Sequence, residues 1–385
     1  MADQFFTPPK IIMGENALEA AGDHIRTMGR KALIVCGPVV KKIGIAGKVA
    51  AVLEKYDISY VIFAGITDEP TDQMVEEGTK IYLEQNCDFL IGAGGGSPLD
   101  AVKAIGLKAV CGGKMSDYMG VSVTGKLPPV AVIPTTAGTG SEATQFTIIT
   151  DTKNNVKMLL KGESFMPDLA VIDPAYTMTA PPGVTAATGL DALTHAIEAY
   201  TSRKAQPLTD IFAVSAVRRI FANLPAACED GSNLDARKEM SLAALEAGIA
   251  FNNSSVTIVH GMSRPIGALF HVPHGTSNAM LLYPCLNYVM DGAAERFADL
   301  GRAVQAAGAE DDDSTAAGKF IDAVRKLCDR CEIGKPEDYG IDRETFLGAV
   351  DKMAEDAETS GSPSNTRKKI RKEDMIKIYR SLWEA

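Results

Sequence analysis

The first half of the chain alternates short, almost uninterrupted apolar runs with longer amphipathic stretches. The apolar runs predict four strands buried on both faces, at residues 31–36, 60–64, 89–92 and 130–134. The stretches between them predict helices, ending near residue 55 after the first strand and covering 71–85 and 100–110 further on. Because strands alternate with helices, we predict a parallel sheet covered on both faces.

The pattern changes after about residue 180, where short apolar strands largely disappear and longer helical periods follow. These periods predict eight helices, at residues 186–201, 207–223, 234–252, 255–268, 293–308, 314–330, 343–354 and 373–383. The change coincides with Ala180-Pro181-Pro182-Gly183, a cluster typical of a break between elements. We therefore predict an α/β domain over residues 1–180 and an all-helical domain over residues 181–385.

Composition and charge narrow the possible partners. The chain has 385 residues, long enough for two or more domains, and its net charge of −10 disfavours a nucleic-acid partner. No apolar run reaches the roughly 18–20 residues that span a bilayer. The odd number of cysteines, seven, is typical of free thiols in a reducing compartment. We predict a cytoplasmic protein with neither nucleic acid nor membrane as a partner.

Histidines are concentrated in one part of the sequence. Four of the five lie between residues 195 and 274: His195, His260, His271 and His274. Asp191 precedes His195 by four residues, so the two side chains share one face of a helix. A carboxylate joined by imidazoles is a suitable ligand set for a divalent metal. Such a pair also occurs as a plain helix contact, and the spacing alone leaves both interpretations open.

Two polar loops follow predicted strands. Gly92–Asp100 contains a run of glycines between a strand and a helix, where backbone N–H groups and the helix N-terminus attract phosphate. It lacks the GxGxxG spacing and a Walker lysine, so a tight structural turn is the alternative. Pro134–Thr144 is rich in hydroxyls and glycine, and Lys157 follows it. Two such loops at the carboxyl ends of strands favour a dinucleotide over a single phosphate.

Four segments together resemble the iron-containing (group III) alcohol dehydrogenase family: Gly94–Pro98, Pro134–Thr139, Gly189–Glu198 and Pro273–Gly275. The similarity extends over nearly the whole chain. It implies a Rossmann-like parallel-sheet domain followed by an all-helical domain, the layout of dehydroquinate synthase. It also implies hydride transfer between NAD(P)(H) and a small alcohol or aldehyde, in a homodimer or larger homo-oligomer.

The resemblance assigns roles to individual residues. It implies iron on four residues: Asp191, His195, His260 and His274. The ligand set alone would equally accept zinc, cobalt or nickel. It implies nicotinamide-dinucleotide contacts at eight residues: Gly95, Gly96, Ser97, Thr135, Thr136, Thr139, Thr144 and Lys157. His271 is then a neighbour of the metal rather than a ligand, and His271 or a water chain is the candidate proton relay.

Three positions depart from the family pattern. Many members carry an aspartate at Gly37, where it would bond the ribose and repel a 2′-phosphate; with Lys41 and Lys42 nearby, we hypothesise that NADPH is accepted. Some members have asparagine at Glu69, which leaves the role of that residue in ribose binding open. Arg264 stands where some members have histidine. It could favour an anionic substrate or pair with a carboxylate of the protein.

Two other functions share this domain layout. A dehydroquinate-synthase-like lyase also uses a nicotinamide cofactor, but it would need a basic pocket for an acidic, phosphorylated substrate. A catalytically silent binding protein of the same fold is the second alternative. The metal motifs favour the dehydrogenase over the lyase, and the replacement at Arg264 leaves the silent binding protein open.

Overall fold

The computed structural model describes residues 3–154 and 156–383. The chain forms two compact units, one from Phe6 to Thr179 and the other from Ala180 onward together with the residues before Phe6. The predicted domain boundary lies beside this division. The assignment of the nucleotide to the first unit and of the metal to the second stays a prediction.

A six-stranded parallel sheet lies at the centre of the first unit. The unit's eight strands are β1 (Ile11–Met13), β2 (Lys31–Cys36), β3 (Ser59–Phe63), β4 (Phe89–Gly94), β5 (Val130–Pro134), β6 (Phe146–Asp151), β7 (Val156–Lys161) and β8 (Leu169–Ile172). The sheet has the order β1-β8-β5-β4-β2-β3. Its inner strands β4, β5 and β8 are buried along their whole length, as expected for a sheet covered on both faces. The register pairs Gly94 at the end of β4 with Pro134 at the end of β5. Both predicted nucleotide loops therefore lie at the carboxyl-terminal ends of neighbouring strands.

The four predicted strands are confirmed, and four further strands were missed. β1 and β8 have only three and four residues, too few for a clear hydrophobic pattern. β6 and β7 form a separate antiparallel pair, and their threonines and lysines interrupt the apolar run.

Helices flank the strands of the first unit: α1 (Ala17–Ile25), α2 (Pro38–Lys42), α3 (Ile45–Lys55), α4 (Asp72–Glu84) and α5 (Gly96–Cys111). α5 begins four residues before the predicted start at Asp100, because part of the glycine-rich turn forms its first turn. Gly94, with φ of 151°, makes the sharp bend into it. A Cβ on Gly94 would lie 2.6 Å from Pro98, so the turn requires glycine there.

The described part of the second unit is helical. Its helices are α6 (Pro182–Thr201), α7 (Pro207–Glu229), α8 (Leu234–Asn253), α9 (Ile258–Phe270), α10 (His274–Val289), α11 (Ala294–Ala303), α12 (Asp313–Arg330), α13 (Arg343–Thr359) and α14 (Lys372–Ser381). The eight predicted helices are present. α10 was not predicted, because Gly275 and Pro284 lower the helix propensity of its sequence. α6 is buried along most of its length among α7, α8 and α10.

Among the described helices, α7 alone is long and apolar enough by itself to reach across a bilayer. The mean hydropathy of its most apolar window is 1.3, and 39% of that window is buried within the protein. α8 and α9 meet the same criterion only when taken together, across a bend of 103°. Core helices of soluble proteins meet this criterion too, so it is weak support for a membrane span.

Candidate metal and nucleotide sites

The carboxylate and imidazoles predicted as metal ligands gather in the helical unit. α6 carries Asp191 and His195 one turn apart, and α9 brings His260 beside them. All three are buried, and one ligand atom from each lies within 4.8 Å of the others. His274 begins α10, and its Nε2 lies 3.7 Å from Asp191 Oδ1. Residues that are far apart in sequence thus form one cluster.

Aromatic stacking fixes the orientation of the central ring. The His195 ring stacks on Phe251 of α8 at a centroid distance of 4.2 Å and on His260 at 4.4 Å. His195 therefore has little freedom to rotate. Phe251 carries no sequence motif that would have marked it as part of this cluster.

Glu198, also on α6, holds His260 in place. Its carboxylate accepts hydrogen bonds from Thr257 Oγ1 at 2.7 Å and from the Val259 N–H at 2.6 Å. The other carboxylate oxygen lies 2.6 Å from His260 Nδ1. A proton on Nδ1 is then shared with Glu198, which leaves the Nε2 lone pair free for a metal. The spacing of three residues from His195 was the only sequence signal for Glu198.

Asn278 lies where the predicted ligands converge. Its Nδ2 is 2.7 Å from Asp191 Oδ1, 3.1 Å from His260 Nε2 and 3.2 Å from His274 Nε2. An amide nitrogen has two hydrogens for these three acceptors. Asn278 Oδ1 and His195 Nδ1 are buried without a hydrogen-bond partner among the described residues. Lone pairs from one carboxylate and two imidazoles aimed at one point fit a divalent transition metal.

The electrostatics of the cluster favour a positive charge at its centre. Burial by itself raises the pKa of Asp191, but His195, His274 and His260 outweigh burial and hold the pKa below its usual range. Burial lowers the pKa of His195 to about 3, so this ring is neutral near pH 7. Burial also lowers the pKa of His260, but its hydrogen bonds to Asp191 and Glu198 outweigh that and raise it. Asp191 therefore carries a negative charge in this cluster, which favours a cation beside it.

The two predicted nucleotide loops touch each other in the first unit. A Cβ on Gly96 would lie 2.9 Å from Thr139 Cγ2, and one on Gly95 would lie 3.5 Å from Thr136 Oγ1. The Thr135 N–H donates to the Gly94 carbonyl at 2.8 Å. Ser97 lies in the first turn of α5, beside these glycines. The arrangement gathers backbone N–H groups and hydroxyls at the carboxyl ends of β4 and β5.

A buried lysine that the sequence did not single out ties the second loop to α5. Lys103 Nζ donates to the carbonyls of Ser141, Thr144 and Phe146 at 2.7, 2.9 and 3.0 Å. It also reaches the hydroxyls of Ser141 and Thr144 at 3.3 and 3.1 Å. Asp100 accepts from Ser141 Oγ at 2.5 Å. Thr144, predicted as a nucleotide contact, is 3% exposed and takes part in this internal network.

The remaining predicted nucleotide residues lie on other elements of the same unit. Gly37 follows β2, the neighbour of β4, and a Cβ there would lie 2.8 Å from the Ile66 carbonyl oxygen. Lys157 Nζ forms an ion pair with Glu69 Oε1 at 2.7 Å. The Glu69 carboxylate therefore neutralises part of the positive charge of Lys157.

His271 and Arg264 both lie on the segment around α9. His271 follows the helix in a left-handed conformation with φ of 55° and is exposed to solvent. Arg264 lies one turn after His260, and its Nη1 donates to Ser362 Oγ at 3.0 Å. Among the described residues, no carboxylate lies within 4.0 Å of the Arg264 guanidinium.

Comparison with known proteins agrees with this arrangement. The model of the iron-containing alcohol dehydrogenase family matches residues 8–174, and the family's C-terminal model matches residues 185–383. The 1,3-propanediol dehydrogenase of Citrobacter freundii is 36% identical over 386 residues, covering 98% of this chain and 97% of that protein. The NAD-dependent methanol dehydrogenase of Bacillus methanolicus is 39% identical over 298 residues, covering 77% of this chain and 78% of that protein.

A solved structure extends the similarity to the fold. The crystal structure of a 1,3-propanediol oxidoreductase superposes with a TM-score of 0.96 at 34% identity, covering 99% of this chain and 100% of that one. A parallel-sheet unit followed by a helical unit with a carboxylate–imidazole cluster thus defines a two-domain alcohol dehydrogenase. The chain belongs to the iron-containing alcohol dehydrogenase family.

Proposed function

We propose that this protein reduces small aldehydes, and oxidises the matching alcohols, with a metal held by Asp191, His195, His260 and His274. The observation that carries the proposal is the convergence of three ligand atoms on Asn278 Nδ2. Asp191, His195, His260 and His274 would hold a divalent metal, which would supply Lewis-acid polarisation of the carbonyl oxygen. Asp191 supplies a negative charge to it, and Glu198 keeps His260 Nε2 available.

Iron(II) is the metal we propose, on the strength of the family, although this ligand set also suits zinc. Dialysis against a chelator is expected to abolish NADPH-dependent reduction of a panel of short aldehydes. Adding Fe²⁺ back is expected to restore it, measured by the loss of NADPH absorbance. Unchanged turnover by metal-free protein would contradict the proposal. Failure of the metal-loaded protein to reduce every aldehyde of the panel, whichever divalent metal is added, would contradict it as well.

The dinucleotide is proposed to bind the first unit, at the two touching loops and Lys157. When bound there, it would supply the hydride chemistry of the reaction. Contact between Gly96 and Thr139 supports a shared phosphate and ribose site. The carbonyl also takes up a proton on reduction, and we propose that His271 delivers it, since this imidazole is exposed and lies close to His274 in sequence.

Replacing Gly95 by valine is expected to raise KM for NADPH at least about tenfold while the metal content stays unchanged. A Cβ at Gly95 lies 3.5 Å from Thr136 Oγ1, so the side chain fits the fold but fills space proposed for the nucleotide. Gly47→Val is the matched control, because the space around Gly47 is open. An unchanged KM for NADPH in Gly95→Val would place the nucleotide elsewhere.

NADPH is proposed to be accepted because no carboxylate follows β2 at Gly37 to repel a 2′-phosphate. Gly37→Asp is expected to shift the ratio of kcat/KM toward NADH by at least about tenfold. Any side chain there meets the Ile66 carbonyl, so Gly37→Asn serves as a control of equal size without the charge. Equal shifts in both variants, or a wild-type protein that uses only NADH, would refute the charge argument.

The same proposal includes a homo-oligomer, a dimer or larger, that works in the cytoplasm. Seven free cysteines support a reducing compartment. The net charge of −10 supports a small-molecule substrate, with neither nucleic acid nor a membrane as partner.

A further inference from the structure

Arg264 lies beside the proposed metal site but has few contacts. It follows His260 by one turn of α9, so both side chains leave the same face of the helix. The residue is partly exposed, and its one hydrogen bond among the described residues is Nη1 to Ser362 Oγ at 3.0 Å. A guanidinium has five N–H donors, so most of its donors lack a protein acceptor.

Other arginines of this unit form several hydrogen bonds or ion pairs with the protein, as expected for a structural role. Arg296 forms a two-pronged ion pair with Asp210 and also reaches the Tyr200 carbonyl. Arg219 bonds two carboxylates, those of Glu239 and Glu246. Arg237, 2% exposed, donates to three oxygens. Arg264 has neither a carboxylate nor a set of carbonyls, so its contacts do not account for an arginine at this position.

The Glu198 carboxylate, whose charge acts on Arg264, is engaged with other residues. Glu198 receives hydrogen bonds from Thr257, Val259 and His260, and it acts on Arg264 only from beyond ion-pair distance. Burial lowers the pKa of Arg264, with the charge of Glu198 opposing it. A partly buried guanidinium that contacts no carboxylate is suited to bind an anionic ligand.

We propose that Arg264 binds a carboxylate at the far end of the aldehyde substrate, which makes short aldehyde acids the preferred substrate class. This inference rests on the proposed function. The flat guanidinium matches a carboxylate with two parallel hydrogen bonds, stronger than those between neutral groups. One helical turn, about 6 Å, separates the backbone positions of Arg264 and His260, which suits a short chain between carboxylate and carbonyl.

The test compares 4-oxobutanoate with 4-methylpentanal, in which an uncharged isopropyl group replaces the carboxylate, on metal-loaded protein with NADPH. Wild type is expected to show a kcat/KM at least about tenfold higher for 4-oxobutanoate, as a charge-assisted contact implies. Arg264→Gln is expected to reduce this ratio at least about tenfold, with Arg264→Lys in between. Arg325→Gln, an exposed arginine of α12, is the control and should keep the wild-type ratio.

A wild-type ratio near one, or the same ratio in Arg264→Gln, overturns the inference. Turnover of the neutral aldehyde without a preference for the acid would refute only the role of Arg264 and leave the dehydrogenase proposal standing. Calorimetry on metal-free protein tests Arg264 without turnover. Butanoate is expected to bind more tightly than butanamide to wild type but not to Arg264→Gln, and equal binding to wild type refutes the proposal.

Discussion

Replacing His274 by alanine is expected to remove most of the bound metal and to lower kcat at least about a hundredfold. Loss of even a residue that hydrogen-bonds to a metal ligand lowers metal affinity or activity by about 10–100-fold, and loss of a ligand itself should cost more. His274 Nε2 is one of the three lone pairs that surround Asn278 Nδ2. The side chain is 35% exposed, so its loss leaves no large internal cavity and the fold should persist. Metal content by mass spectrometry and steady-state kcat measure the two effects together.

The matched control is His24→Ala, which removes the one histidine outside the clustered region. It lies on α1 of the first unit, and both metal content and kcat should match wild type. Full metal content and full turnover in His274→Ala would exclude His274 from the ligand set. Retained metal with lost turnover would give His274 a role in the reaction other than metal binding.

The sequence could predict which residues gather in the carboxylate–imidazole cluster but not what surrounds them. Asp191 and His195 are one helical turn apart, a relation visible in the sequence because a local period places them on one face. The partners of Glu198 come from Thr257 to His260, more than fifty residues later. A buried carboxylate or amide becomes visible as part of a site only when the packing of α6, α9 and α10 brings its partners to it.

The fold shows the same division between local and non-local information. Short, almost uninterrupted apolar runs marked β2 to β5, since burial of β2, β4 and β5 on both faces leaves a clear pattern. β3 carries such a run although it lies at the edge of the sheet and is only partly buried. α10 escaped prediction because Gly275 and Pro284 argue against a helix locally. Burial of Leu281, Leu282 and Leu286 in the core outweighs that propensity. In the sequence, Lys103 likewise resembles a surface lysine of an amphipathic helix. Only the folded chain brings the carbonyl acceptors of the second nucleotide loop to its Nζ atom.

Replacing Lys103 by methionine is expected to lower the free energy of unfolding by about 3–5 kcal/mol, the range for breaking a buried charge network from one side. Methionine has a similar length but donates no hydrogen bond, so the oxygens around Nζ lose their donor. Burial raises the pKa of Glu142 to about 7, and Lys103 opposes that shift in both Glu142 and Asp100. Chemical denaturation of the whole protein measures the loss.

Lys80→Met on α4 is the control for the Lys103 variant. Its side chain is 71% exposed and, among the described residues, forms an ion pair with Glu84 alone, so the change should stay within about 0.5 kcal/mol. Lys103 also anchors the loop that carries Thr135 and Thr139, so KM for NADPH should rise in Lys103→Met at a temperature where the variant is still folded. A stable variant with unchanged KM would show that this loop holds its shape without the buried cation.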